Sequence, residues 1–195
     1  MTNEPHGFLA LIGPNERTVF VDDDGGGLGN ARIPGSGGWL TLSLAGTYVV
    51  EVTSFPGGAP GAYLLTLSEP APPILLREEN TVSAIALSSV TNLREPFALT
   101  DMFNLGSDHP TRVVLFATNL DLLPGENSSA VTAVAEDSQM NVYPLTVESV
   151  RKVPGFDWVK QIVIKLPTNL PAGQDVQVSI TAHMQTSNKA LLRIK

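Results

Sequence analysis

The stretch LTLSLAGTYVVEVTSF, Leu40–Phe55, decides the fold class of this chain. Leucines at positions 40, 42 and 44 alternate with Thr41 and Ser43. After a turn at Ala45 and Gly46, the alternate apolar positions are Tyr48, Val50 and Val52. Successive side chains of a strand point to opposite faces of a sheet, so this period of two predicts two half-buried strands joined by a turn.

The same pattern recurs along the rest of the chain. GAYLLTLS predicts a strand with Tyr63, Leu65 and Leu67 on one face, and RVVLFATNL (residues 112–120) is apolar on both faces, as in a central strand. NVYPLTVESV, KQIVIKLP and DVQVSITAHM predict three more strands, and NKALLRIK should pair with the last of them across a turn at residues 185–187. Pro144 marks an edge or a bulge.

The inward residues of DVQVSITAHM should be Val176, Val178, Ile180, Ala182 and Met184. The predicted core includes Val114, Phe116, Ile162, Ile164, Val178 and Ile180.

The pattern predicts an all-β protein built from two β-sandwiches, because no window shows a helical period and turn signals recur at short spacing. Composition changes near residue 68, since the first 68 residues hold 13 of the 17 glycines and no lysine. The segment EPAPPILLREEN that follows contains three prolines, which favour a stiff connector. We therefore predict a first domain over residues 1–68, a linker over 69–80 and a second domain over 81–195.

Charge and cysteine content exclude several functions. The net charge of −7 argues against nucleic-acid binding, which needs clustered Lys and Arg. The chain has no cysteine, so disulfide scaffolds and thiolate catalysis are excluded. The apolar run over residues 8–12 is too short for a signal core or a membrane span, and no membrane insertion is expected.

Two family resemblances follow from these motifs. FLALIGPN, DDDGGG, AGTYVVEV and the closing GAYLLTLS make residues 7–68 similar to the bacterial pre-peptidase C-terminal domain, a jelly-roll-type β-sandwich attached to secreted enzymes, here without its early strands. RVVLFATNLDLLPGENSSAVTA, VPGFDWVKQIVIKLP and QTSNKALLRIK make residues 81–195 resemble the C-terminal Ig-like domain of exported acidobacterial proteins. The resemblance implies an extracellular or cell-surface location and a bacterial source, with no catalytic residue.

The acidic, glycine-rich stretch VDDDGGGLGNARIPGSGGW is the first candidate site. Three carboxylates before the glycines would repel phosphate, which excludes a phosphate loop. Calcium prefers oxygen ligands, and Asp22 and Asp24 should lie on the same side of an extended strand, with Asn30 as a further ligand. The alternative is a solvated turn in which glycines supply the positive φ angles. No other cofactor is indicated.

The second candidate site is the aromatic pair Phe156 and Trp158 in VPGFDW. Two aromatic rings in a loop could bind a carbohydrate or a protein ligand. In the alternative interpretation, one ring packs into the end of the sandwich, since large aromatic side chains are more often packed than exposed. The histidines, His183 among them, are expected on the surface.

No catalytic constellation is present, so we expect a non-enzymatic structural protein that acts through its surfaces and strand edges. A first domain without its early strands would expose unpaired edges, and a neighbouring copy could donate a strand to it. The linker over 69–80 is extended and proline-rich, which suits it to reach a neighbouring copy. Self-association into an extracellular filament is therefore expected. The alternative function is a carbohydrate- or protein-binding accessory module of a secreted enzyme, stabilised by calcium.

Overall fold

The computed structural model describes residues 6–35, 39–55, 62–104, 108–123 and 125–195, and their regular structure is almost entirely β-strand, which confirms the predicted all-β class. The chain splits into two compact units, Met1–Glu69 and Pro70–Lys195. No helix among the described residues is long and apolar enough to cross a membrane.

The first unit contains one antiparallel sheet of three strands. The strands are β1 (His6–Ile12), β2 (Thr18–Asp22) and β3 (Val49–Phe55), in the order β2-β1-β3. The central strand pairs along its length with β3 and over Leu9–Ile12 with β2. Ala10 and Leu11 of β1 are the buried hydrophobic residues described in this unit.

Two strands predicted in this unit are absent from the structure. Residues 39–48 contain no strand, and neither do residues 62–68, so the predicted faces at Leu40–Leu44 and at Tyr63–Leu67 are not formed. The prediction was wrong because alternation shows only that a segment suits a half-buried strand. A strand also needs a hydrogen-bonded neighbour, and the described part of the unit provides none for these segments.

Among its described residues, the second unit contains nine strands and one 3₁₀ turn (Ser128–Ala130). The strands are β4 (Ile74–Leu75), β5 (Ala86–Ser88), β6 (Arg112–Thr118), β7 (Val131–Glu136), β8 (Val142–Val153), β9 (Phe156–Lys165), β10 (Asp175–Ala182), β11 (Gln185–Thr186) and β12 (Ala190–Arg193). Their order is β11-β10-β7-β8-β9-β6-β4, with β12 also paired to β10 and β5 to β6. The long strand β8 pairs with β7 over Val142–Leu145 and with β9 from Thr146 onward, so it passes from one half of the curled sheet to the other.

Residues 82–88 connect the two outer edges of this curled sheet. Near their start, Leu191 of β12 donates to the Val82 carbonyl and accepts from the Ala84 N–H group, at 2.8 Å in each case. At their end, β5 pairs with β6. One short segment therefore joins the two edges of the sheet around a common core. This closure explains why the second unit has many more buried hydrophobic side chains than the first.

The core of the second unit confirms part of the prediction and corrects the rest. Ile162, Ile164, Val178 and Ile180 are fully buried, as predicted. The inward residues of β6 are instead Val113, Leu115 and Ala117, and the predicted Val114 and Phe116 are only half-buried. Because β6 is apolar on both faces, alternation did not show which face turns inward.

The end of β10 also differs from the prediction. β12 pairs with β10 as expected, but the chain turns at His183 and Met184, which both adopt positive φ angles, rather than at residues 185–187. Met184 is therefore exposed on the turn instead of buried. Pro144 lies where β8 pairs with β7 alone, before the β9 pairing begins, as expected for a residue at a sheet edge.

The predicted linker over residues 69–80 is part of the second unit from its second residue onward. Pro73 is buried, Leu75 is 1% exposed, and β4 pairs with Thr118 and Ala117 of β6. The side-chain amide of Asn188 bonds both backbone groups of Leu75: its oxygen accepts the N–H at 2.8 Å and its nitrogen donates to the carbonyl at 3.1 Å. Residues 73–75 of this segment are therefore docked on their own chain, and the expectation that the segment reaches a neighbour stays a prediction.

Candidate assembly surface

The sheet of the first unit exposes apolar side chains on both faces. On one face Leu11 lies between Phe20 and Val50, which are 39% and 36% exposed. On the other face Ala10 lies next to Val21 of β2, which is 57% exposed. A strand that is apolar on both sides is typical of a sheet covered on both sides. The described residues cover this sheet only in part.

Both edges of this sheet are open. β2 and β3 are its outer strands, and no strand in the described ranges pairs with their outer edges. Unpaired backbone N–H and C=O groups along an edge can pair with a strand from another chain, and proteins usually block such edges with charges or prolines. β3 carries one charged residue, Glu51, so this edge is weakly protected.

The surface is also depleted of charge. Between Ile33 and Ser68 the only charged residue is Glu51, although several leucines in this range are exposed. Over residues 1–69 the chain has seven acidic and two basic residues, and most of the acidic ones lie outside that range. Solvated surfaces usually carry interspersed charges, so a range this apolar and exposed is typical of an interaction surface.

The acidic loop is organised around the side chain of Asp22. One oxygen of its carboxylate accepts the backbone N–H groups of Gly25 at 2.8 Å and Arg32 at 2.7 Å. A side chain at Gly25 or Gly35 would collide with this carboxylate, which explains why glycine occupies both positions. Asp22 therefore holds both ends of the loop together at the end of β2.

The three predicted calcium ligands are not brought together in this arrangement. Asp22 is engaged with backbone groups, Asp24 is exposed, and the Asn30 side-chain nitrogen donates to the Gly27 carbonyl at 3.0 Å. Within the described residues, no group of three or more acidic or histidine side chains is placed to hold a metal ion. Calcium binding at this loop stays a prediction.

Replacing Asp22 with Ala should destabilise the first unit by about 2 kcal/mol, because two backbone donors lose a charged acceptor. Asp24→Ala, the matched control, removes a carboxylate whose side chain makes no such bond, and it should have little effect. Thermal unfolding followed by Trp39 fluorescence in a Trp158→Phe background reports on this unit alone. If the loop binds calcium, millimolar calcium raises the melting temperature of the wild type but not of Asp22→Ala; an equal effect of calcium on both chains would contradict the site.

The aromatic pair lies on a β-hairpin rather than in a loop. β8 and β9 are joined by the two-residue turn Pro154-Gly155, in which Gly155 has a φ of 80°. Phe156 is 53% exposed and Trp158 is 65% exposed, and their rings form an edge-to-face contact with centroids 6.3 Å apart. Neither ring packs into the end of the sandwich as the alternative interpretation expected, because the hairpin tip extends past the end of β6 and both rings stay more than half exposed.

The sequence pattern missed several polar contacts in the second unit. His183 Nε2 lies 2.9 Å from Glu126 Oε2, so this histidine is paired rather than freely exposed. Burial raises the pKa of Glu126, but the bonds from Leu123 N–H and His183 outweigh burial and lower it. Arg112 bonds Asp108 at 2.8 Å, which lowers the pKa of that carboxyl group. These partners are far apart in sequence or in an unpatterned loop, so no local signal identifies them.

Comparison with known proteins adds no assignment. No protein-family model matches the chain, and no curated protein or solved structure matches it. The two resemblances therefore remain expectations, and the candidate site rests on geometry alone.

Proposed function

We propose that this chain is a non-enzymatic structural protein that assembles with copies of itself through its first unit, outside the cell or at its surface, as a filament subunit. The observation that carries the proposal is the three-stranded sheet with two open edges and apolar residues exposed on both faces. The location is the part that rests on the family resemblance.

Self-association follows from the cost of leaving such a sheet in water. Each fully exposed leucine or valine contributes about 1.5–3 kcal/mol when it is buried, and a second copy brings an equally apolar surface. A contact between two different surfaces of the same chain repeats from copy to copy, and it produces a filament when the rotation between copies does not close a ring. The charge depletion over residues 33–68 removes the repulsion that would otherwise oppose this contact.

The test is sedimentation velocity over a range of protein concentrations, with electron microscopy of the largest species. The wild type should form species well above the 20.7 kDa of one chain. The double variant Val21→Glu, Val49→Glu places charges on one exposed face of the sheet and should sediment as a monomer. A wild type that stays monomeric at all concentrations would contradict the proposed function.

Phe156→Ala, Trp158→Ala is the matched control, since it removes exposed apolar area from the second unit and should leave assembly unchanged. It also tests the alternative function. The exposure of both rings supports binding of a carbohydrate or protein ligand by the hairpin tip. Loss of assembly in this variant, with assembly retained in the Val21→Glu, Val49→Glu variant, would identify the hairpin as the assembly surface; oligosaccharide binding by the wild type that this variant lacks would favour the alternative.

A further inference from the structure

The segment over residues 62–68, AYLLTLS, is the most exposed apolar segment of the first unit. Leu64 and Leu67 are 92% and 91% exposed, and Tyr63 is 70% exposed. The segment carries no charge, no glycine and no proline, and its β-type alternation places Tyr63, Leu65 and Leu67 on one face. Uncharged segments of this length with strand-forming patterns are the ones that add to open sheet edges.

No strand in the described part of the chain pairs with this segment. Residues 62–68 are neither strand nor helix and make no backbone hydrogen bond to any other described residue. β3 ends at Phe55, six residues separate it from residue 62, and β1 is the one described strand that pairs with it. A hairpin between β3 and this segment would need only that short connection, yet no described strand pairs with the segment or with the outer edge of β3 over residues 49–53.

The other unpaired strand pattern of the unit, residues 40–44, is less available. The hydroxyl group of Tyr48 donates to the Leu44 carbonyl at 3.0 Å and accepts its N–H at 3.3 Å. Leu42 and Leu44 are about half as exposed as Leu64 and Leu67. Residues 62–68 are therefore the better donor of an added strand.

We propose that residues 62–68 of one copy add as a strand to the open edge of β3 in a second copy. This inference rests on the proposed function and names the donor and the acceptor of the contact. Within the described ranges, no strand pairs with this uncharged, strand-patterned segment or with the outer edge of β3 over residues 49–53, so a second copy can satisfy both. Main-chain hydrogen bonds hold the added strand, and its leucines cover an exposed face of the sheet.

Leu67→Asp tests the donor without affecting the fold of one chain, since this side chain is exposed. It should weaken self-association by about tenfold or more, because the contact loses the free energy that is gained when the leucine side chain is removed from water. Leu28→Asp is the matched control, since Leu28 is a fully exposed leucine of the same unit, in the acidic loop. Equal association of the two variants would overturn the proposal.

Disulfide trapping tests the pairing itself, and the absence of native cysteine makes every crosslink assignable. A chain with Leu65→Cys is mixed with a chain carrying one cysteine at a position within residues 50–53 and a fusion tag that gives the mixed dimer its own mass. Four successive acceptor positions sample both faces of β3. After mild oxidation, at least one mixture should give a crosslinked pair of unlike chains in higher yield than the same mixture with Leu42→Cys as donor.

The outcomes separate this inference from the proposed function. If both cysteines are placed in one chain and that chain closes on itself as a monomer, the segment pairs with its own β3 and the proposal is overturned. If the wild type assembles but Leu65→Cys crosslinks no better than Leu42→Cys, the proposal falls and the proposed function stands. If nothing assembles, both fall.

Discussion

Leu75→Ala should destabilise the second unit by about 2–5 kcal/mol, the range for truncating a fully buried leucine. Leu75 is 1% exposed in β4, and its backbone N–H and C=O groups are both bonded by Asn188. The substitution leaves a cavity in the hydrophobic core of the second unit. Urea unfolding of the full chain, followed by circular dichroism, measures the effect.

Ile74→Ala is the control in the adjacent position. Ile74 is 45% exposed and belongs to the same two-residue strand, so its truncation should cost about 1 kcal/mol at most. A free linker would tolerate both substitutions equally. Equal, small effects at the two positions would show that β4 is not docked and would restore the linker as predicted from the prolines.

The contrast between these two positions shows what composition could and could not establish. Three prolines predicted that residues 69–80 are extended, and β4 is an extended segment. Stiffness says nothing about burial, however, and the side chain that bonds the Leu75 backbone belongs to Asn188, more than a hundred residues later. A contact over that sequence distance leaves no local pattern.

The all-β class was predictable because alternation is a local property of each strand. In the second unit every long predicted strand exists, since each has a neighbour within the unit. In the first unit the same alternation over residues 40–44 and 63–67 predicted strands that are not formed. A strand forms only where a neighbouring strand pairs with it, and the described part of the first unit offers no such strand to these two segments. The segments whose strands were wrongly predicted therefore belong to the candidate assembly surface.

The candidate sites were predictable as residue types but not as arrangements. Asp22 was identified, together with Asp24 and Asn30, as a candidate calcium ligand, but its carboxylate accepts two backbone N–H groups of the loop. Phe156 and Trp158 were correctly placed together, and only the structure shows that both are exposed.

Leu115→Ala should also destabilise the second unit by about 2–5 kcal/mol, although alternation pointed to its neighbours as the core residues of β6. Leu115 is 1% exposed, between buried Val113 and Ala117. Val114→Ala, on the half-buried face of the same strand, should cost about 1 kcal/mol. Urea unfolding of the two variants gives the comparison directly.

A second pair of variants replaces valine with threonine, which has nearly the same volume, so cavity size does not affect the comparison. Val113→Thr places a hydroxyl group where the strand is completely buried, and it should cost about 1–3 kcal/mol because that group loses its water without gaining a partner. Val114→Thr makes the same chemical change one residue later, where the side chain keeps some contact with water. Its cost should be about 0.5 kcal/mol or less. The reverse order of the two threonine variants would mean that β6 turns its other face inward, with Val114 and Phe116 in the core.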